Sequence, residues 1–283
     1  MSFVSHYSTR MPVGLRWMIL ALLGATLSAV DVSVGTTADQ QAPRPTRPSQ
    51  GQAQSRPAPA IFAPGEALHY TAILNDLPAG DAQIRLRKEQ QDGREVYRVT
   101  AQAGSNEWID YLIQLRGKAE GTFMTRDFTP LLFQAVYTYA ERQRELGVRY
   151  DPASKSLLGN AQKRGRMKAR TVPATGVYDP IAAFYFLRSN SLTPGASLQA
   201  EVFTGKERYR ITAQVVRKEN AVLTTGTRPA FRVHLATYSL DDSPNENLLP
   251  PETTVWVSTD ATHIPLKLES FIPIGRLVVE LNR

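Results

Sequence analysis

The chain has 283 residues, 42% hydrophobic, with a formal net charge of +7 and no Cys. The missing Cys excludes disulfides, Cys nucleophiles and the Cys-linked lipidation of a lipoprotein, so the fold must hold by packing alone. Five of the basic residues and two of the acidic ones precede residue 61, which leaves +4 on the remainder, a poor electrostatic footprint for nucleic acid.

The front of the chain sets the compartment. An apolar run, Trp17 to Val30, follows Arg10 and Arg16 with no acid before it. Its 14 residues fall within the ~7–15 of a signal-peptide core and short of the ~20 of a spanning helix. Ser28 and Ala29 supply small residues for cleavage, Leu27 departs from the small-x-small pattern, and Met11 is a second candidate start. Residues 1–35 are therefore expected to be a signal peptide or an uncleaved inner-membrane anchor, and either places the rest in the periplasm. Residues 36–60 hold five Pro and five Gln and, Pro aside, no aromatic or aliphatic residue larger than Ala. Such a stretch cannot bury enough surface to offset its ordering entropy, and reads as an extended tether or spacer. Residues 61–283 are expected to form a single β-rich domain.

That body alternates with period two, the signature of strands with one buried face. Leu68, Tyr70, Ala72 and Leu74 share a face; Ala82, Ile84 and Leu86 oppose Gln83, Arg85 and Arg87; Tyr97, Val99 and Ala101 oppose Arg98 and Thr100. Asp92-Gly93 between the last two runs supplies the positive φ angles of a tight hairpin. Further runs follow at 133–139, 148–150, 209–215, 231–235, 255–257 and 266–268, and Leu277, Val279 and Leu281 close the chain opposite Arg276 and Glu280. The pattern predicts a mainly β fold, a strongly curved antiparallel sheet or open barrel.

One segment breaks the alternation. Val177 to Arg188 reads as a helix, principally about 179–190, with Asp179 able to accept from a first-turn N–H and Pro180 fitting the first helical position. Ile181, Phe184 and Tyr185 share a face, and Phe186 and Leu187 extend the apolar surface nearly all round. A helix of that composition belongs inside, or across the mouth of, the curled sheet.

No catalytic or metal motif emerges. His6, His69, His234 and His263 show no ligand spacing, no nucleophile elbow or P-loop occurs, and Asp260 with His263 reads as a capped turn. A hydrolase built on two carboxylates needs no local motif, and Glu66, Glu107 and Asp110 are the acids to follow; the alternative is that they are solvated or hydrogen-bonded strand ends. The run Lys163, Arg164, Arg166, Lys168 and Arg170 has two readings, a solvated hairpin or a contact for lipid phosphates or another anionic polymer. The aromatics Tyr70, Phe184, Phe186, Trp256 and Phe271 likewise read either as ordinary core or as the lining of a hydrophobic cavity.

Three ordered segments resemble the bacterial exported family known as domain of unknown function 3108. They are Pro64-Gly65-Glu66-Ala67-Leu68-His69-Tyr70 with Ala79-Gly80; Asp179-Pro180-Ile181-Ala182-Ala183 with Phe186-Leu187-Arg188; and Val255-Trp256-Val257-Ser258-Thr259-Asp260 with Ile264-Pro265 and Gly275. The resemblance implies an envelope protein with one β-rich domain, similar in architecture to open-barrel lipoprotein carriers, and implies no activity. The resulting expectation is a non-enzymatic binding protein for a lipid, glycolipid or acylated protein, without cofactor or nucleic-acid partner. It would touch the membrane peripherally or through its tether. A scaffold for envelope assembly is the alternative, and a hydrolase of envelope polymers the third.

Overall fold

The structure, a computed structural model, describes residues 62–282 apart from 112–113, 140–141, 164–165 and 242–246. The expected signal or anchor and the tether lie outside the described residues, as does Arg164. Period-two alternation produces 15 strands in one sheet: β1 (Ala67–Leu74), β2 (Leu77–Gln91), β3 (Arg94–Ser105), β4 (Leu115–Met124), β5 (Pro130–Tyr139), β6 (Arg142–Asp151), β7 (Ser156–Lys163), β8 (Arg166–Pro173), β9 (Val177–Tyr178), β10 (Ser197–Phe203), β11 (Arg208–Leu223), β12 (Gly226–Ser239), β13 (Asn247–Ser258), β14 (Pro265–Ile272) and β15 (Gly275–Leu281). The helices are α1 (Glu107–Asp110) and α2 (Pro180–Arg188). The fold is mainly β, as the alternation predicts. The sheet order runs β8 back to β1, then β15 back to β9, so the first and last strands pair in the middle, Tyr70 opposite Leu281 and Leu74 opposite Leu277. Every pairing is antiparallel except the short β9–β10 contact. Asp92 (φ 51°) and Gly93 (φ 73°) make the β2–β3 hairpin turn, the left-handed pair expected from Asp-Gly.

The sheet rolls into a nearly closed barrel, and glycine permits the last approach. Gly205, in the turn after β10, stands where a Cβ would lie 2.3 Å from Gly147 O and 2.8 Å from Asn160 O. A Cβ on Gly159 would lie 2.3 Å from the Phe203 ring. Backbone therefore packs on backbone across the seam between β6–β7 and the β10–β11 turn. Arg170 clamps the same seam, donating to both Asp241 carboxylate oxygens (2.6 and 2.8 Å) and to Lys206 O (3.0 Å). Arg170 is thus spent on closure rather than free for an anion. Arg166 and Lys168 stay exposed on the edge strand β8, and of Lys163 only the backbone is described.

The inner face is filled unevenly. One half is solid: Phe62, Tyr97, Phe123, Phe128 and Tyr185 form an edge-on and stacked aromatic cluster, with Phe62 and Tyr185 ring centroids 4.9 Å apart. The other half is lined by Ala213, Val215, Phe231, Val233, Val255 and Val257. The long β11–β12 hairpin curls over the outside of the barrel, where Thr224 donates through N and Oγ1 to Glu280 Oε2 (2.8 and 2.7 Å). That cover explains why β15 is buried on both faces, Glu280 included, although alternation alone would expose Glu280.

Helix α2 ends two residues before the expected boundary, with Ser189 as its C-cap. Its N-cap is Asp179, whose Oδ1 accepts from Ile181 N (2.8 Å) and Ala182 N (2.9 Å). Asp179 is fully buried and its Oδ2 receives no hydrogen bond from the described residues. Burial pushes its carboxyl up to about 7, against the two backbone donors that pull it down.

Two outcomes are expected from these features. Gly93→Ala, whose Cβ would meet nothing, should lose only the ~1–2 kcal/mol of a left-handed residue. Gly205→Ala should lose distinctly more in urea unfolding, and equal losses would remove the seam. For Asp179, the native state holds a proton that the unfolded chain sheds above its ordinary pKa. Stability should therefore fall as pH rises from about 4 to about 7, by at most ~1.4 kcal/mol per unit. Asp179→Asn keeps the accepting oxygen without titrating. It should be more stable than the parent at pH 8 and lose that margin by pH 4.

Candidate functional site

The three segments that carry the family resemblance meet at one buried ion pair. Glu66, just before β1, accepts from Arg188 at the end of α2 through both oxygens, Nη1 to Oε1 and Nη2 to Oε2, each 2.8 Å. Arg188 Nη2 also donates to Thr262 O (3.0 Å) and its Nε to His263 O (3.2 Å), both in the β13–β14 turn. His263 returns a bond from Nδ1 to Arg188 O (2.9 Å), which sets its tautomer, and Tyr185 OH donates to Glu66 Oε1 (3.2 Å). Phe62, Phe184 and Tyr185 rings surround the guanidinium at 5.0–5.2 Å. Burial works against the charge of Arg188, but its bonds and attraction to Glu66 outweigh that and hold its pKa above the ordinary value. Burial pushes the Tyr185 and Tyr70 phenols up, which keeps both as neutral donors.

Beside this pair, between α2 and the inner face of the sheet, lies an apolar pocket of about 120 Å³. Phe184, Leu187 and Leu192 form one wall; Ala213, Val233, Leu235, Val255, Val257 and Leu268 form the other. Its polar liners are Tyr70, Arg188 and Lys267, and each is engaged elsewhere. Tyr70 OH donates to Pro265 O (3.0 Å), Arg188 holds Glu66, and Lys267 pairs with Glu280 (3.1 Å). The pocket therefore offers shape and apolar surface, with no unspent donor aimed at a guest. Phe184, Leu187 and Leu235 are only half-buried, so apolar surface remains available to one.

Of the aromatics singled out in the sequence, Tyr70 and Phe184 line this pocket. Phe186 points away and stacks on Tyr178 at 4.4 Å. Trp256 lies on the outer face, donating from Nε1 to Glu219 (2.7 Å) with Arg232 and Lys267 over its ring. Phe271 is 66% exposed on the outside. Neither lines a cavity, because alternation along β13 and β14 turns Val255, Val257 and Leu268 inward and their neighbours out. The pocket walls Leu187, Leu192, Val233 and Leu235 went unrecognised in the sequence, being aliphatic residues in ordinary core patterns.

The acids do not converge. Glu66 is neutralised by Arg188, Asp110 is bound by Arg116 (2.6 Å) at the barrel edge, and Glu107 is exposed in the first turn of α1. Asp260 accepts from Thr262 N (2.8 Å), a turn contact. Among the described residues no group of three or more His, Asp or Glu could hold a metal ion. A larger concavity, about 630 Å³, lies on the outside of β1–β5. There His69, Gln83 and Gln102 bond one another in a cross-strand row, and the surface is that of a solvated sheet.

Breaking one member of a buried pair strands the other, so Glu66→Leu alone should cost ~3–5 kcal/mol. Glu66→Leu with Arg188→Met should recover much of that, less the share owed to the abandoned Thr262 and His263 carbonyls. Additive losses in this double-mutant cycle would mean that the pair carries no coupling.

Known proteins give the following likenesses. A β-barrel-like protein of domain of unknown function DUF1849 from Brucella abortus matches 77% of this chain and 95% of its own, at 9% identity and TM-score 0.48. The hypothetical lipoprotein YmcC from Escherichia coli matches over 79% and 89%, at 10% identity and TM-score 0.30. An exported protein of YmcC-like fold from Bacteroides fragilis matches over 79% and 98%, at 7% identity and TM-score 0.34. No curated protein matches. A family model matches residues 67–282, which include the strand paired to the chain's end, α2 and the β13–β14 turn, and by that match the chain belongs to the family described as protein of unknown function DUF3108.

Proposed function

We propose that this is an exported envelope protein that works by binding, without catalysis, and that the apolar end of a lipid, glycolipid or acylated protein occupies the pocket beneath α2. The observation that carries the reading is the pocket itself: apolar walls, with every polar liner already committed. The apolar run at residues 17–30 followed by the Pro/Gln stretch supports the compartment. Size narrows the guest. About 120 Å³ is close to the ~150 Å³ of a dry cavity that takes benzene, and well under the ~300 Å³ where drug-sized pockets begin. The pocket as it stands takes a chain terminus or a small ring rather than a whole acyl chain, so the rest of an amphipathic ligand would remain outside.

Native mass spectrometry of the protein recovered gently from the envelope fraction, followed by solvent extraction, tests this. An apolar or amphipathic mass is expected to co-purify with the parent. Ala213→Phe fills the pocket from the sheet wall; it should abolish the adduct and leave the melting temperature within a few degrees. A clean apo mass in repeated preparations, together with no heat of binding for octanol, would overturn the reading.

A further inference from the structure

One end of the sheet is an open edge that the pocket does not involve. β8 is the terminal strand and pairs with β7 alone, in register from Arg166 opposite Lys163 to Pro173 opposite Ser156. Among the described residues its other edge exchanges no backbone hydrogen bond with any element. The seam closes on the second half of the strand, where Val172 is buried and Arg170 holds Asp241 and Lys206 O. Before Arg170 the strand stands clear. Arg166, Met167, Lys168 and Ala169 are all exposed, so both faces and one edge of that stretch meet solvent.

Parity sorts the side chains. Arg166, Lys168 and Arg170 share the inner face with Val172, while Met167 and Ala169 face out. Cations at every second position of a strand lie ~7 Å apart. Arg170 shows what this face takes, since it grips both oxygens of Asp241. Arg166 and Lys168 make no hydrogen bond or ion pair among the described residues, and their neighbours on β7 are Lys163 and Ala161, so that side supplies no acid. Glu207, the other acid that acts on Arg170, is held by Lys206 and Tyr209. We propose that the first half of β8 takes an extended acidic peptide as an added strand, with carboxylates at alternate positions meeting Arg166 and Lys168.

The edge and the charges point to the same occupant. An unpaired strand edge is completed by a second extended backbone ~4.8 Å away. Side chains of that backbone at every second position then come beside Arg166 and Lys168 at the same ~7 Å repeat. The intervening residues fall beside Met167, which is 65% exposed, so an acidic–apolar alternation suits both faces. A second copy of β8 would set these cations against their own kind, which is how basic edges avoid self-pairing. The same charges admit a strand of opposite sign. Lipid phosphates would satisfy the cations but leave the backbone edge unpaired, and the cations stand on the concave side of the sheet. Residues 36–60 of the chain are a poor occupant, with three Arg against one Asp and five Pro that cannot donate to a ladder.

The test uses the protein purified from the envelope fraction and a labelled short peptide of alternating Val and Glu. A control peptide has the same composition with its Glu residues contiguous. In anisotropy titrations the alternating peptide should bind more tightly than the control. Hydrogen exchange should slow at the amides between 166 and 169 that β7 leaves free. Arg166→Gln with Lys168→Gln, both exposed and outside the seam contacts, should weaken binding about fivefold. Arg166→Glu with Lys168→Glu should transfer the preference to a Val–Lys peptide. Equal affinity for the two Glu peptides, or binding without slowed exchange in β8, would reduce the contact to diffuse charge attraction and overturn the proposal. No binding, or binding indifferent to the Gln substitutions, would overturn it too. If the Gln variant loses phosphatidylglycerol vesicles while peptide binding is absent or unchanged, the cations serve lipid and the proposal fails. None of the substituted residues lines the pocket, so each of these failures leaves the pocket reading intact, and an empty pocket leaves this edge untouched.

Discussion

The Glu66–Arg188 pair is the constraint from which the rest of the interior follows. A guanidinium and a carboxylate, both almost wholly removed from water, persist only when each finds its partners within the protein. Here the partners come from three places far apart in sequence: the entry to β1, the end of α2 and the β13–β14 turn. Satisfying one side chain therefore positions three elements at once. Arg188 ties the tail of the helix to the entry of β1 and to the β13–β14 turn, the Asp179 cap satisfies the helix's own first amides, and aromatic packing fills the space between.

That fixation divides the barrel. On the side of β2–β5, Tyr185 presses into the Phe62 and Phe123 rings, with Phe128 packed against both, and leaves a solid core. On the side of β10–β15 the facing wall is mostly Ala and Val, with Leu235 and Leu268; Leu187 packs on it, but the wall does not fill the space under α2, and the pocket is what remains. A helix held by charge at its tail cannot slide to fill the gap, because doing so would separate Arg188 from Glu66. The apolar pocket and the buried ion pair are two consequences of one placement.

Much of the architecture was legible in the residues. Alternation marked the strands, Asp92-Gly93 marked a hairpin, and Asp179-Pro180 marked the start of α2. The inward and outward faces of β13 and β14 were legible too, since Trp256 and Phe271 fall out of phase with Val255, Val257 and Leu268. Aromatic character misdirects there: parity in a strand decides the face, and a ring in the wrong phase packs outside under Arg232 and Lys267 or stays in solvent. The ion pair was not legible, because nothing local couples residues 122 positions apart, and a Glu at the mouth of a strand is usually solvated. Arg170 shows the same limit, since its role depends on Asp241 arriving 71 residues later. The burial of Glu280 required knowing that another hairpin would fold over it.

The central claim is that α2 is locked into the barrel by its buried tail rather than resting on it. Native-state hydrogen exchange of the amides from Tyr185 to Ser189 tests that most directly. The account predicts that they exchange only through global unfolding, with the same protection free energy as the amides of β1 and β15 and the same denaturant dependence. Exchange at a clearly lower free energy, with a small denaturant dependence, would show α2 opening on its own and would contradict the lock.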